Sequence, residues 1–135
     1  MTAGSRWTLA VATLAGAFGV ATVAKGAQVL FGSAVARVDA GHYVAFVLWF
    51  NFLAGFVYVA AALGIALRRR WASRLAAAIA GATALVFLTF GAHVLSGGAF
   101  ETRTVAAMVL RTATWGAIAF VTGRLLPTTV VSTEG

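Results

Sequence analysis

Residues 107–116 read AMVLRTATWG and place a permanent cation among apolar neighbours. Arg111 follows Val109 and Leu110, and no acidic residue lies within nine positions of it. A guanidinium stays charged at any physiological pH and presents five N–H donors in a planar fork. Such a group can hold an anion, a polarised carbonyl or a lipid phosphate. On an ideal helix Thr104, Arg111, Thr114 and Thr122 share one side, because seven residues return almost to the same angle. Asn51 occupies a second apolar stretch, with Gly55, Tyr58 and Ala62 on its face. Its side-chain carbonyl can accept from a guanidinium, so Arg111 is expected to meet Asn51. Arg111, Asn51, Tyr58 and Thr114 form the expected ligand-binding set.

A second group of polar residues flanks the apolar stretches: Lys25 and Gln28, Asp39 and His42, Thr89 and His93, Glu101 and Arg103. Two histidines on different helices could ligate a haem iron, with basic residues holding the propionates. Two histidines and a carboxylate could bind a metal. No spacing motif accompanies either possibility, so neither a metal nor a cofactor is expected. An ion-pair network is expected instead, with Lys25 and Arg103 around Asp39 and Glu101. The chain has no cysteine, which removes disulfides, thiolate metal sites and a cysteine nucleophile. Ser5, Ser33, Ser73, Ser96 and Ser132 sit in no nucleophile motif, which argues against a hydrolase.

These residues need elements to position them, and composition dictates which. The 135 residues are 61% hydrophobic and 10% charged, against roughly 25% charged in soluble domains. A soluble domain of this size could not hide so much apolar surface, so the bilayer is the expected solvent. A membrane helix needs about 20 mostly apolar residues. Four runs qualify, at about 7–31, 43–67, 75–95 and 104–125, and each is longer than a buried strand. The expected fold is an all-α, integral membrane four-helix bundle in one domain, 1–135. The linkers read GSAVARVDAGH, RRRWASR and SGGAFETR. Pro127 ends the last helix, and a short polar tail follows.

The net charge of +7 suits nucleic acid less well than lipid headgroups, because four cations share one turn. Arg68, Arg69, Arg70 and Arg74 carry no acid beside them, whereas Arg37 is accompanied by Asp39 and Arg103 by Glu101. The positive-inside rule makes the middle linker cytoplasmic, with both termini on the same side. Arg6 and Arg124 agree with that orientation. Trp7 and Trp71 then suit the inner interface and Tyr43 the outer one. A cleaved signal is the rival reading of the N-terminus, with AVA at 34–36 as the cleavage site. The apolar stretch exceeds a signal's usual apolar region of about 7–15 residues, which favours a retained anchor. Small residues pack membrane helices closely. Ala12, Gly16, Gly19, Val23 and Gly26 make such a stripe in the first helix; Gly55, Ala62 and Gly64 lie in the second, and the third begins LAAAIAGATA.

AGAFGVATVAKGAQVLFG resembles the Gly-rich, Lys-ending first helix of DoxX-like membrane proteins. NFLAGFVYVAAALGIALRRRWASRLAAAIA is similar to that family's second helix, basic turn and Ala-rich third helix. The resemblance covers roughly residues 14–81. It implies a four-helix bundle in the bacterial inner membrane, of a kind sometimes associated with respiratory or thiol-redox systems. Where the family often has an acid in its second helix, this chain has Asn51. Three functions fit the whole reading. One is a non-catalytic accessory subunit of a membrane complex, partnered by other membrane subunits or by its own copies. Another is a bundle that binds or transports a small anion or amphiphile through Arg111. The last is a redox protein holding haem or quinone.

Overall fold

The computed structural model describes residues 3–42 and 44–126. Tyr43, Pro127 and the tail at 128–135 lie outside the described residues. Within them there are five helices and no strand: α1 (Ala3–Phe31), α2 (Ala34–Ala40), α3 (Ala45–Ala66), α4 (Arg70–Leu95) and α5 (Thr102–Leu125). All but α2 are long and apolar enough to cross a membrane. The shortest of the four, α3, has 22 residues, roughly 33 Å at 1.5 Å per residue, against a hydrocarbon core of about 30 Å. The outward surface is apolar, with Val20, Leu53, Leu63, Leu85, Leu88 and Phe120 all exposed. That is the reverse of a soluble fold, and it fits a chain whose solvent is lipid.

The helices pack in sequence. α1 lies along α3, α3 against α4 and α4 against α5, while α1 and α5 touch only sparsely. The α1–α3 pair is the closest. A Cβ on Gly19 would come within 2.9 Å of the Gly55 carbonyl oxygen, and one on Gly55 within 3.1 Å of the Gly19 oxygen. Two backbones can approach this closely only where neither residue has a side chain. Gly16 continues the contact at Ala62, and Gly26 at Phe52. Gly64 serves another pair, since a Cβ there would strike the Trp71 ring and Ala72. The expected small-residue faces of α1 and α3 are therefore contact faces, divided between two neighbours of α3, whereas in LAAAIAGATA Ala77, Ala78, Gly81 and Ala82 are exposed and Gly81 has open space around it.

The basic turn is tighter than its composition implied. α4 begins at Arg70 rather than near 75, leaving three residues between α3 and α4. Arg68 N–H donates to the Ile65 carbonyl at 3.0 Å and Arg69 N–H to Gly64 at 2.8 Å. This pair of bonds closes a helix end around a left-handed residue, here Arg68 at φ 55°. α4 ends in the same motif with Gly97 at φ 88°.

The first linker holds a helix, α2, where sequence reading expected only a turn. AVARVDA contains no glycine or proline and is bounded by Gly32 and Gly41. Arg37 turns back from α2 to donate to the Val29 and Leu30 carbonyls at 3.2 and 3.3 Å. These are among the carbonyls that the end of α1 leaves without helical partners. Gly41 combines φ 68° with a position where a Cβ would strike the Glu101 carboxylate.

Candidate functional site

At the α2 end of the bundle, α1, α3 and α5 part around a cavity of about 340 Å³. Lys25, Asn51, Arg103 and Arg111 line it, Thr22 stands at its inner end, and Asp39 comes to it from α2. An adjoining cavity of about 390 Å³ shares Lys25, Asn51, Arg103 and Arg111 and adds Glu101 and Thr104. The helix ends set the heights. Arg103 stands in the first turn of α5, and Lys25 six residues before the end of α1. Arg111 lies nine residues into α5, roughly 13 Å along the axis at ~1.5 Å per residue. Three cations therefore descend from the rim towards the middle of the bundle.

Arg111 does not reach Asn51. Its Nη1 donates to Thr22 Oγ1 at 2.9 Å, across to α1. Its guanidinium carbon lies 5.3 Å from the Phe18 ring centroid, a cation–π contact. Both partners come from α1. Asn51 instead directs its amide N–H towards Met108 Sδ at 3.9 Å. Asn51 Oδ1 and Arg111 Nε are both buried without a partner among the described residues. A charge-assisted hydrogen bond is worth about 1.5–3 kcal/mol, and a central arginine costs about 2.5–3.5 kcal/mol on insertion scales. Thr22 and Phe18 thus offset much of that cost while leaving the charge unneutralised.

The other two members of the expected set stand elsewhere. Tyr58 is fully buried below the cavity, its ring 4.6 Å from that of Trp115 and 5.8 Å from that of Phe18. It lines none of the described cavities, and its hydroxyl has no partner among the described residues. Thr114 is half-buried and also lies outside those cavities. Thr104 lines the cavity, whereas Thr122 is buried and bonded to its own helix at Ile118. Thr22 and Phe18 were absent from the sequence-based set. The available signal was the position of Thr22, three residues after Gly19 and four before Gly26, beside the packing stripe.

The expected ion-pair network is replaced by other contacts. Among the described residues the one ion pair is His42 Nδ1 to Glu101 Oε1 at 3.6 Å, and the same oxygen accepts from the His42 main-chain N–H at 2.8 Å. Arg103 donates to the Asp39 main-chain carbonyl at 2.6 Å rather than to its carboxylate. Lys25 forms no ion pair among the described residues. The reason is geometric: α2 and the chain after it direct a carbonyl and an amide at α5, and these take up Arg103 and Glu101 first.

The two histidines have separate partners. His93 shares a hydrogen bond of 3.0 Å between Nε2 and the Ala99 carbonyl, stacks near Phe90 and lies against Gly98. It braces the α4–α5 turn, while His42 is held by Glu101. Among the described residues no three of His, Cys, Asp and Glu stand close enough to hold a metal ion. The arrangement offers what an anion needs: two guanidinium groups and an ammonium around a cavity. No protein-family model, curated protein or solved structure matches the chain.

Proposed function

We propose that this multi-pass protein binds an anionic group in the cavity between α1, α3 and α5, with Arg111 as its anchor. The observation that carries the reading is Arg111 itself, a cation at mid-depth with no carboxylate partner among the described residues. A buried charge normally has a counter-charge or a metal. Here the surrounding residues supply a hydroxyl, an aromatic face and two more cations, and Asp39 and Glu101, which also line the cavities, form no ion pair with Arg111 among the described residues. An accessory role within a larger membrane complex is compatible with such a site, since a subunit can carry a bound lipid into an assembly. A DoxX-like ancestry is compatible with it as well, with Asn51 in place of an acid in α3. No single observation favours a haem or quinone reading in the same way.

We place the protein in the bacterial inner membrane with Arg68, Arg69, Arg70 and Arg74 on the cytoplasmic side, because basic turns are retained there. The termini then face the cytoplasm, and the cavity opens towards the outer surface. Ser73 is a poor reporter of this topology, being buried beside α5. Exposed Leu67 and Ser96 report the two ends instead. An impermeant thiol reagent added outside should label Ser96→Cys and spare Leu67→Cys, and the reverse pattern would invert the assignment.

Anion binding is tested by thermal unfolding of the delipidated protein in neutral detergent as inorganic phosphate is raised. A ligand that binds only the folded state stabilises it by RT ln(1 + [L]/Kd), about 1.4 kcal/mol at ten times Kd. The wild type should show saturable stabilisation that Arg111→Leu lacks. Equal responses in both proteins would sink the proposal. Arg111→Lys should recover little, because an ammonium lacks the planar fork.

A further inference from the structure

We infer that the occupant of this site is a membrane amphiphile with a net anionic phosphate headgroup, and that it enters sideways through the gap between α1 and α5. The inference rests on the reading of Arg111 as an anion anchor and goes beyond it in naming the ligand class and its route. A slot of about 170 Å³ lies between these two helices and shares Thr22, Lys25 and Arg111 with the main cavity. The cavity is thus continuous with an opening on the side of the bundle. Ala21 and Leu110, at the slot, are exposed on the surface that meets lipid chains.

The polarity of the slot is ordered along its length. Lys25 stands towards the α2 end, Arg111 and Thr22 come next, and Phe18, one turn further along α1, is apolar. A lipid in the leaflet on the α2 side has the same order, headgroup towards the rim and chains towards the midplane. A free small anion would use the cavity alone and gain nothing from Ala21, Leu110 or Phe18.

The gap is also where the bundle is least closed. α1 and α5 touch only sparsely, whereas α1 with α3, α3 with α4 and α4 with α5 make more extensive contact. Among the described residues the hydrogen bond from Arg111 to Thr22 is the polar link across it. The group that would hold the phosphate is therefore also the group that bridges the route. A phosphate suits this donor set because a guanidinium fork can engage two of its oxygens while an ammonium meets another. Arg103, Lys25 and Arg111 outnumber Asp39 and Glu101, and Glu101 is already engaged by His42.

The test compares phosphatidic acid, phosphatidylcholine and inorganic phosphate on purified protein, read by native mass spectrometry for the lipids and by thermal unfolding for all three. Phosphatidic acid should bind at least tenfold more tightly than either comparator. Ala21→Trp and Leu110→Trp fill the slot from opposite walls, and neither residue lines the main or the adjoining cavity. Either variant should weaken phosphatidic acid at least tenfold and leave the response to inorganic phosphate unchanged. Inorganic phosphate binding as well as phosphatidic acid would overturn the amphiphile while leaving the anion site standing. Undiminished phosphatidic acid binding in both slot variants would overturn the sideways route alone. Binding of phosphatidylcholine, whose phosphate is balanced by its own ammonium, as tight as that of phosphatidic acid would overturn the anionic headgroup. If neither phosphatidic acid nor phosphate binds the wild type, or Arg111→Leu binds both as well as the wild type, the inference fails together with the anion site.

Discussion

Towards the α3–α4 turn the helices close on one another, and towards α2 they part. The closed end is filled by Tyr58, Ile65, Trp115 and Ile118 among small residues of α3 and α4, in one continuous apolar cluster. At the α2 end a smaller cluster of Val44, Val47, Phe90 and Met108 joins α3, α4 and α5 only. On the α1 side of that end the space is lined by Lys25, Asn51, Arg103 and Arg111. Lipid gives helices no hydrophobic reason to associate, so each contact must come from fit or from polar bonding. The closed end relies on fit. The open end gives up fit on one side and keeps cations there, an arrangement that makes sense for a site and poor sense for a scaffold.

Substitutions in the tight α1–α3 seam that leads into the closed end should have the largest effect. Gly55→Ala puts a methyl group against Val23 and the Gly19 backbone and should destabilise by about 2 kcal/mol, as overpacking does in other interiors. Gly116→Ala has open space around it and should change stability by no more than about 0.5 kcal/mol. Thermal or denaturant unfolding in detergent separates the two, and equal effects would mean that α1 and α3 do not rely on close approach.

Arg111→Leu is the corresponding cut at the open end. Removing a half-buried charge that no carboxylate neutralises among the described residues should leave the fold intact or firmer by about 1 kcal/mol, in line with apolar replacement of buried ions. Anion binding should fall at least tenfold. Strong destabilisation with binding retained would assign Arg111 to the scaffold and erase the contrast between the two ends.

The smallest effect is expected at Tyr58, the member of the closed cluster that lies below the cavity. Its buried hydroxyl has no partner among the described residues, so Tyr58→Phe removes a polar group that burial disfavours. Stability should hold or rise by up to about 1 kcal/mol, and anion binding should not move. A loss of binding in Tyr58→Phe would return this residue to the site and extend the open region to mid-bundle.

The four long helices and their packing stripes were legible in the chain because hydropathy over 20 residues and small residues at helical spacing are local signals. The helix α2 was not, since seven residues between two glycines carry no period long enough to read. Arg111 and Asn51 could be singled out as residues out of place in lipid, yet their pairing could not. Depth alone put them together. Which neighbour a side chain meets depends on how helices rotate about their axes, and here the Gly19–Gly55 contact turns α1 so that Thr22 and Phe18 face Arg111. Lys25, Asp39, Glu101 and Arg103 were legible as one rim cluster for the same reason of depth. Their partners were not, because main-chain groups of the first linker competed for them.

The close approach of Gly19 and Gly55 also constrains how this chain can change over generations. Each residue faces the backbone of the other helix, so neither can acquire a side chain while its counterpart stays in place. A compensating change would have to move a whole helix, and that lies beyond a single codon. Gly81, Gly91 and Gly116 have open space around them and are free to drift to alanine. Descendants of this sequence should therefore keep residues 19 and 55 as a fixed pair long after the other three glycines have diverged.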